Sequence, residues 1–435
     1  MTLALANTNP ECPARDVFNA ALGRLPGAGA VADARARAFD AFERAGLPHQ
    51  RLEEWTYTDL RVLMRAVLPL APLPDVAALV RAKAAVAQTA LEGAAKLVLV
   101  DGVFAPDLSD LAAFGEGVDV KTVSEFLENP AGADLLITFA TDPMISLNAA
   151  MVTDGVVVTI GDGVALSPPI QIIHVATQAL SSAFTRSHLK LGKSAQATLV
   201  ESFVAADGAS AYQVHDAVIA QIGEGANLSH LRVVADAADA TNISSRMITV
   251  HEKATVSSFN MTYGGTVTRY QGFITLAGAR SELSINCVNL LNDTQHGDTT
   301  LVIDHAAPRC TSEENFRCVV DDRGHSVFQG RIILNAQKSQ GTMMTRALLL
   351  SDEAKADNKP DLQIFADDVT CGHAATSGAL DDSLLFYLRA RGLPEKEAQA
   401  LLIQAFLGEA IEEIADSALR EFVSAQVARW LETRR

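Results

Sequence analysis

Gly192-Lys193-Ser194-Ala195, Glu224-Gly225-Ala226, Glu252-Lys253-Ala254 and Gly278-Ala279-Arg280 each stand before a run rich in β-branched residues. The runs they introduce are 197–204, 228–234, 256–261 and 283–290. From Ala195 to Ala226 to Ala254 the spacing is 31 and then 28 residues. A repeat of this length, with no helical phase between the runs, is the pattern of stacked β-solenoid coils. Each coil pairs its backbone with the coils above and below, so strand length persists while side chains drift. Further runs at 156–160, 170–175, 214–222, 247–251, 273–276, 301–303 and 326–334 fill the stretch 150–370, separated by Gly, Asp, Asn and Ser turns. Because the repeat is imperfect, pattern alone leaves an antiparallel sandwich as the competing fold.

Outward from this core the character changes twice. Residues 1–145 read as mostly helical. Val31 to Ala45 is alanine-rich with Phe39 and Phe42 on one face, and Gly46-Leu47-Pro48 ends it. A second helix is expected over Asp75 to Lys96, then a short strand from Leu97 to Val100 closed by Asp101-Gly102. Residues 371–435 read as helical again. Asp381 or Asp382 can cap a helix carrying Leu384, Leu385 and Leu388. Ala398, Leu401, Leu402, Ala405 and Phe406 keep helical spacing, as do Leu419, Phe422, Val423, Val427, Trp430 and Leu431.

The bulk numbers exclude several classes of function. Apolar residues make up 49% of the 435-residue chain and charged residues 20%, which excludes a disordered protein. The net charge of −17 repels phosphate, so neither nucleic acid nor an anionic membrane surface is an expected partner. Met1 to Asn7 has no basic segment and too short an apolar stretch for a signal peptide, and no run is long enough to span a membrane. The five cysteines, Cys12, Cys287, Cys310, Cys318 and Cys371, are odd in number and scattered, as in a reducing compartment. Together these features point to the cytoplasm.

Few motifs carry chemistry. Gly192-Lys193-Ser194 resembles the tail of a phosphate loop, but Ser187 stands where the first glycine belongs, and the segment reads strand–turn–strand. Cys310 and Cys318 lack a paired Cys-x-x-Cys and are better read as core or turn residues. The densest polar cluster is Asp361 to Gly378, DLQIFADDVTCGHAATSG. With 362–369 read as a strand, period-two alternation would put Asp367, Val369, Cys371 and His373 on one face. A thiolate and an imidazole two residues apart can face one metal ion. On spacing alone the alternatives stay open: His373 bonded to Asp367, and Cys371 merely buried.

That cluster, followed by Leu385-Phe-Tyr-Leu-Arg-Ala-Arg-Gly392, closely resembles the C-terminal signature of the SufB/SufD family. Arg51-Leu-Glu-Glu-Trp-Thr-Tyr-Thr58 resembles the family's N-terminal Trp-Lys-Tyr-Thr element, with Thr56 where lysine is usual. Val327-Phe-Gln-Gly330 and 337–342 are similar to its late solenoid turns. SufB-type chains usually carry an acid after the signature histidine; Ala374 stands there, and the length also matches the SufD type. The resemblance implies a right-handed parallel β-helix between helical ends, within the SUF system of iron–sulfur cluster assembly. It implies a non-catalytic subunit that pairs with a SufB-like paralogue, or as a homodimer in isolation, and docks a SufC-like ATPase on its C-terminal helices. His373 would be an iron ligand at the subunit interface where a transient iron–sulfur cluster forms, with Cys371 beside it as a second candidate.

The competing readings are a SufB-type scaffold and a β-solenoid carbohydrate-active enzyme. The second needs carboxylates and basic residues lined along a groove, and no such cluster is visible in the sequence.

Overall fold

The computed structural model describes residues 14–137 and 142–434. Cys12 and the Met1 to Asn7 stretch read above for a leader lie outside them. Two sheets of ten and nine strands dominate, and from residue 170 onward the chain crosses from one to the other at nearly every turn. Gln213–Ile222 pairs in parallel with Thr241–Val250, and Thr241–Val250 with Val267–Leu276, all three in the same sheet. Asn227–Ala235, Thr255–Thr262 and Glu282–Leu291 do the same in the other. Strands two apart in sequence therefore stack, and strands adjacent in sequence face each other across the interior. This is the parallel β-helix, and the antiparallel sandwich is excluded.

The two ends of the solenoid are built differently. At the first end Ala95–Val100 pairs in parallel with Ile170–Ala176, so the region expected to be mostly helical supplies the opening strand of one sheet. Val103–Phe104 turns back antiparallel onto that strand, and Val118–Thr122 lies antiparallel to Val156–Ile160. At the other end the ladder runs past residue 370 through Lys355–Ile364 and Thr370–Gly378, where both sheets stop. The expected single strand over 362–369 is instead two segments. Strand Lys355–Ile364 ends at Ile364, and 365–369 is the turn into the last strand.

Both outer faces are covered. Aliphatic residues such as Leu189, Ile248, Val256, Leu283 and Ile332 fill the interior. Helices Glu395–Ile411 and Ser417–Thr433 lay Ile403, Leu407, Val423, Val427 and Trp430 over Leu231, Phe259, Val288 and Val319 on the outside of one sheet. Over the other sheet lie Phe39, Phe42, Trp55 and Leu60 of the N-terminal helical region, against Phe184, Ile243 and Val267. The described residues contain no helix long and apolar enough to cross a membrane.

Trp55 fixes this second layer. Its ring is 1% exposed, its Nε1 donates to Asp142 Oδ2 at 2.9 Å, and the Arg269 guanidinium lies 3.7 Å above its centroid. Arg269 is itself buried and pairs with Asp298, while Thr58 bonds both Asp298 and His296 Nε2. An arginine this deep is tolerable only because carboxylate, ring and the Glu54 carbonyl share its charge. Thr56, where the family has lysine, is exposed and takes no part. Trp55→Ala should lower stability by about 3–5 kcal/mol, read as a shift in the urea midpoint. A change under about 1 kcal/mol would show that the N-terminal layer is held elsewhere.

Candidate functional site at the open end

The last coil carries the candidate residues. In Thr370–Gly378, Cys371 pairs with Gly341 and His373 with Met343 of Gln340–Leu349. Gly341 and Met343 are buried while Gln340, Thr342 and Met344 are exposed, so Cys371 and His373 continue the inward-facing column. No coil follows. Cys371 is therefore only half-buried, packed against the edge of the interior cluster, and the His373 imidazole is exposed. Asp367, the alternative partner for His373, sits exposed in the 365–369 turn.

The two terminal strands differ as edges. Lys355–Ile364 carries Lys355, Asp357, Lys359, Pro360 and Asp361, the charges and proline by which natural sheets discourage further pairing. Thr370–Gly378, sequence TCGHAATSG, has no proline and no Asp, Glu, Lys or Arg. Its outward N–H and C=O groups are a pairing template beside the imidazole.

Beneath His373 the same column runs through Met343 to Glu314. Glu314 is 1% exposed, and neither carboxyl oxygen has a hydrogen-bond partner among the described residues. Burial pushes its pKa up to about 8, so it is held as a neutral acid. Cys287 and Cys318 are also buried, and burial pushes each thiol up to about 12. Cys310 is buried in a turn, its Sγ 3.0 Å from the Ala307 carbonyl oxygen. These three are core thiols; Cys371 alone among the described cysteines reaches the surface.

A second polar group, which sequence reasoning missed, lies inside the earlier coils. Arg246 bridges Glu201 at 2.7 Å and Asp216 at 2.8 Å, and His230 Nε2 lies 2.8 Å from Glu201. Burial opposes ionisation of Glu201, but Arg246 outweighs it and holds that carboxyl far below its usual range. His174, Glu201 and Asp216 bring ligand atoms within 4.8 Å of one another, as a metal site would. Arg246 already occupies the space between both carboxylates, so a cation would have to displace a guanidinium. These residues come from strands up to 72 positions apart, and no local spacing announces them. Only the coil register could have.

The two sequence stretches that carried the family resemblance meet through one residue. Arg331 donates to Asp361 at 2.9 Å, to Glu53 at 2.8 Å and to Glu54 at 3.3 Å. The N-terminal element thereby holds the penultimate strand. Gly192-Lys193-Ser194 is an exposed turn between strands, with Lys193 Nζ 3.2 Å from Glu224, as the strand–turn–strand reading expected.

Two sheets built from stacked parallel coils, with a last coil that carries Cys371 and His373, define a β-solenoid protein. Residues 173–406 match the family model described as the SufBD core domain of SUF system FeS cluster assembly, and residues 26–172 match the SufBD protein N-terminal region. The chain belongs to the SufBD family, and its role lies in FeS cluster assembly by the SUF system. It is 29% identical to the iron–sulfur cluster assembly protein SufD of Escherichia coli over 394 residues, 89% of this chain and 90% of that one. Identity is 28% to a SufBD family protein of Synechocystis over 408 residues, 89% and 88% of the two chains. SufD of Bacillus subtilis is 27% identical over 305 residues, 66% of each chain.

Glu314 gives the interior a pH signature. Below 4.5 the carboxyl is protonated in folded and unfolded chains alike, so it has no effect. Between 4.5 and about 8 only the unfolded chain ionises, and stability falls as pH rises. At about 1.36 kcal/mol per pH unit the loss is capped near 5 kcal/mol. Glu314→Gln should therefore gain stability over wild type as pH rises from 5 to about 8, measured by denaturant unfolding across pH. Parallel wild-type and variant profiles would show that Glu314 finds a partner after all.

Proposed function

We propose that this chain is a SufD-like, non-catalytic subunit of an iron–sulfur cluster assembly scaffold, joined through strand Thr370–Gly378 to a SufB-like paralogue. The observation that carries the reading is that unguarded edge, with His373 and Cys371 on it. A partner strand added there gains main-chain hydrogen bonds and is aligned by them, which is how exposed sheet edges recruit chains. In isolation a second copy of this chain can use the same edge. Its similarity to the iron–sulfur cluster assembly proteins SufD of Escherichia coli and Bacillus subtilis supports the reading.

In this scaffold the cluster is cargo, and His373 is one of its iron ligands. Imidazole binds iron without a fixed negative charge and exchanges more readily than thiolate, which suits a cluster that must be released. A ligand contributed across a subunit junction makes assembly depend on the junction's geometry, and a moving partner can open or close it. Cys371, half-buried in the same column, is a second ligand or the wall behind it.

The SufC-like ATPase docks on helix Asp382–Ala390. This helix buries none of its residues, and Leu384, Phe386 and Tyr387 are 50%, 74% and 53% exposed. The two helices that follow are occupied in covering the sheet, so the docking surface expected over the whole 381–435 end narrows to this one.

His373→Ala should leave folding and pairing intact and abolish cluster formation, measured as iron and sulfide counts and absorbance after anaerobic reconstitution of the complex. Clusters matured at the wild-type level would make the histidine structural. Separately, Phe386→Ser with Tyr387→Ser should abolish ATPase pull-down and spare pairing with the SufB-like chain. Retained ATPase binding would move the docking site.

A further inference from the structure

Along one edge of the solenoid the turns from one sheet to the other stack in an unbroken hydrogen-bonded ladder. Lys253 N–H donates to the Ala279 carbonyl at 3.0 Å, Arg280 N–H to Pro308 at 3.1 Å and Arg309 N–H to Gln337 at 3.1 Å; Lys338 N–H continues to Asp368. The same turn position is thus filled, in four successive coils, by Lys253, Arg280, Arg309 and Lys338. All four are exposed. Of these, Lys253 pairs with its neighbour Glu252, and among the described residues Arg280, Arg309 and Lys338 form no salt bridge.

Each of the four has φ between 56° and 63°, the left-handed region. One coil earlier the position is Gly225, at φ 65°. Glycine adopts this conformation without strain, whereas long side chains do not. Ser194 takes φ 54° at the same position one coil before Gly225, so the left-handed conformation belongs to the turn itself, and four coils in a row fill it with a long cationic side chain. The opposite edge has the reverse sign, with Asp207, Asp239, Asp293, Asp322 and Asp352 exposed in its turns. A chain of net charge −17 thus places three cations without a salt bridge among the described residues, Arg280, Arg309 and Lys338, in successive turns of one corner, between Glu252 and the Asp367-Asp368 pair.

We propose that this row docks an acidic amphipathic helix of a partner protein. Coils repeat at about 4.8 Å, and an α-helix presents one residue of a face about every 5.4 Å. Over the three steps from Lys253 to Lys338 the mismatch is about 2 Å, which flexible Lys and Arg side chains absorb. Nucleic acid is the poorer fit, because a duplex carries phosphates over a broader face than this single row of turns and would meet the acidic surface on either side of it, whereas a helix can confine its acids to one stripe. The row ends at Lys338, and the exposed Asp367 and Asp368 of the 365–369 turn would repel an acidic helix beyond it, so the helix stops one coil short of the open end. The inference stands apart from the cluster-ligand reading of His373 and survives its failure.

The test uses the full chain and a labelled helical peptide of about 20 residues with glutamate on one face at i, i+4 spacing. A scrambled peptide of equal composition and a short DNA duplex are the comparisons. Fluorescence anisotropy should show salt-sensitive binding of the patterned peptide only. Replacing Lys253, Arg280, Arg309 and Lys338 with glycine should weaken it about tenfold or more, while the melting temperature holds or rises as strain is relieved. The matching glutamine set, which keeps side-chain bulk, should lose binding equally and guards against a glycine variant that fails to fold. Undiminished binding by the glutamine set, or equal binding of scrambled peptide or DNA, would overturn the proposal.

Discussion

In-register backbone pairing between coils is the constraint on which everything else in this protein depends. Each buried N–H and C=O must find a partner, and in a parallel solenoid that partner belongs to the equivalent residue region one coil away. Register is then common to the whole stack, and side chains at equivalent positions form columns. A column is a neighbourhood in which residues about thirty positions apart in sequence touch. The Glu201–Arg246–Asp216 bridge, the Glu314–Met343–His373 column and the cationic turn row are all products of it.

The same constraint decides what the sequence could reveal. Turns repeat visibly, because Gly192 and Gly223 must fit against backbone of the adjacent coil and Ala226 turns inward, so the coil spacing was legible, while the imperfect repeat left the antiparallel sandwich open until the register was seen. The helical ends were legible through 3.6-residue stripes such as Leu419, Val423 and Val427. Inside and outside were not. Both sheets are covered by helices, so strands such as Ile170–Ala176 are buried along their whole length and lose the alternation that marks a half-exposed strand. The buried charges therefore looked like surface residues. Cys371 and His373 could be placed two apart on a strand, but not on the inward column of a last coil, since nothing in 361–378 states where the ladder stops. The strand read across 362–369 failed for a related reason. Asp367 and Asp368 fill the turn position that Lys338 fills one coil earlier, and only the register shows it.

Buried polarity and bare edge are two answers to one problem. Within the stack, coils on both sides can supply partners to a buried polar side chain, and Arg246 bridges its two carboxylates that way. Near the end this support thins. Glu314 has an apolar residue on each side in its column, Ile285 below and Met343 above, and stays protonated; His373 has nothing above it at all.

The contrast between the two solenoid ends carries this further. The first end is finished: Val103–Phe104 and Val118–Thr122 reverse direction and cover the opening strands. At the second end one strand is guarded by alternating charges and Pro360, while its neighbour, Thr370–Gly378, is guarded by nothing. An unprotected nine-residue edge is an aggregation hazard in a free monomer, and a chain able to cap one end could cap the other. Leaving a single strand bare, beside a guarded one, restricts association to one sheet and one direction. In the proposed pairing, main-chain bonds along that strand would fix where a facing subunit's residues fall relative to His373 to within a strand register, a precision that packing of helices alone does not supply. On that proposal the edge would position the histidine, and would not be merely a contact surface lying near it.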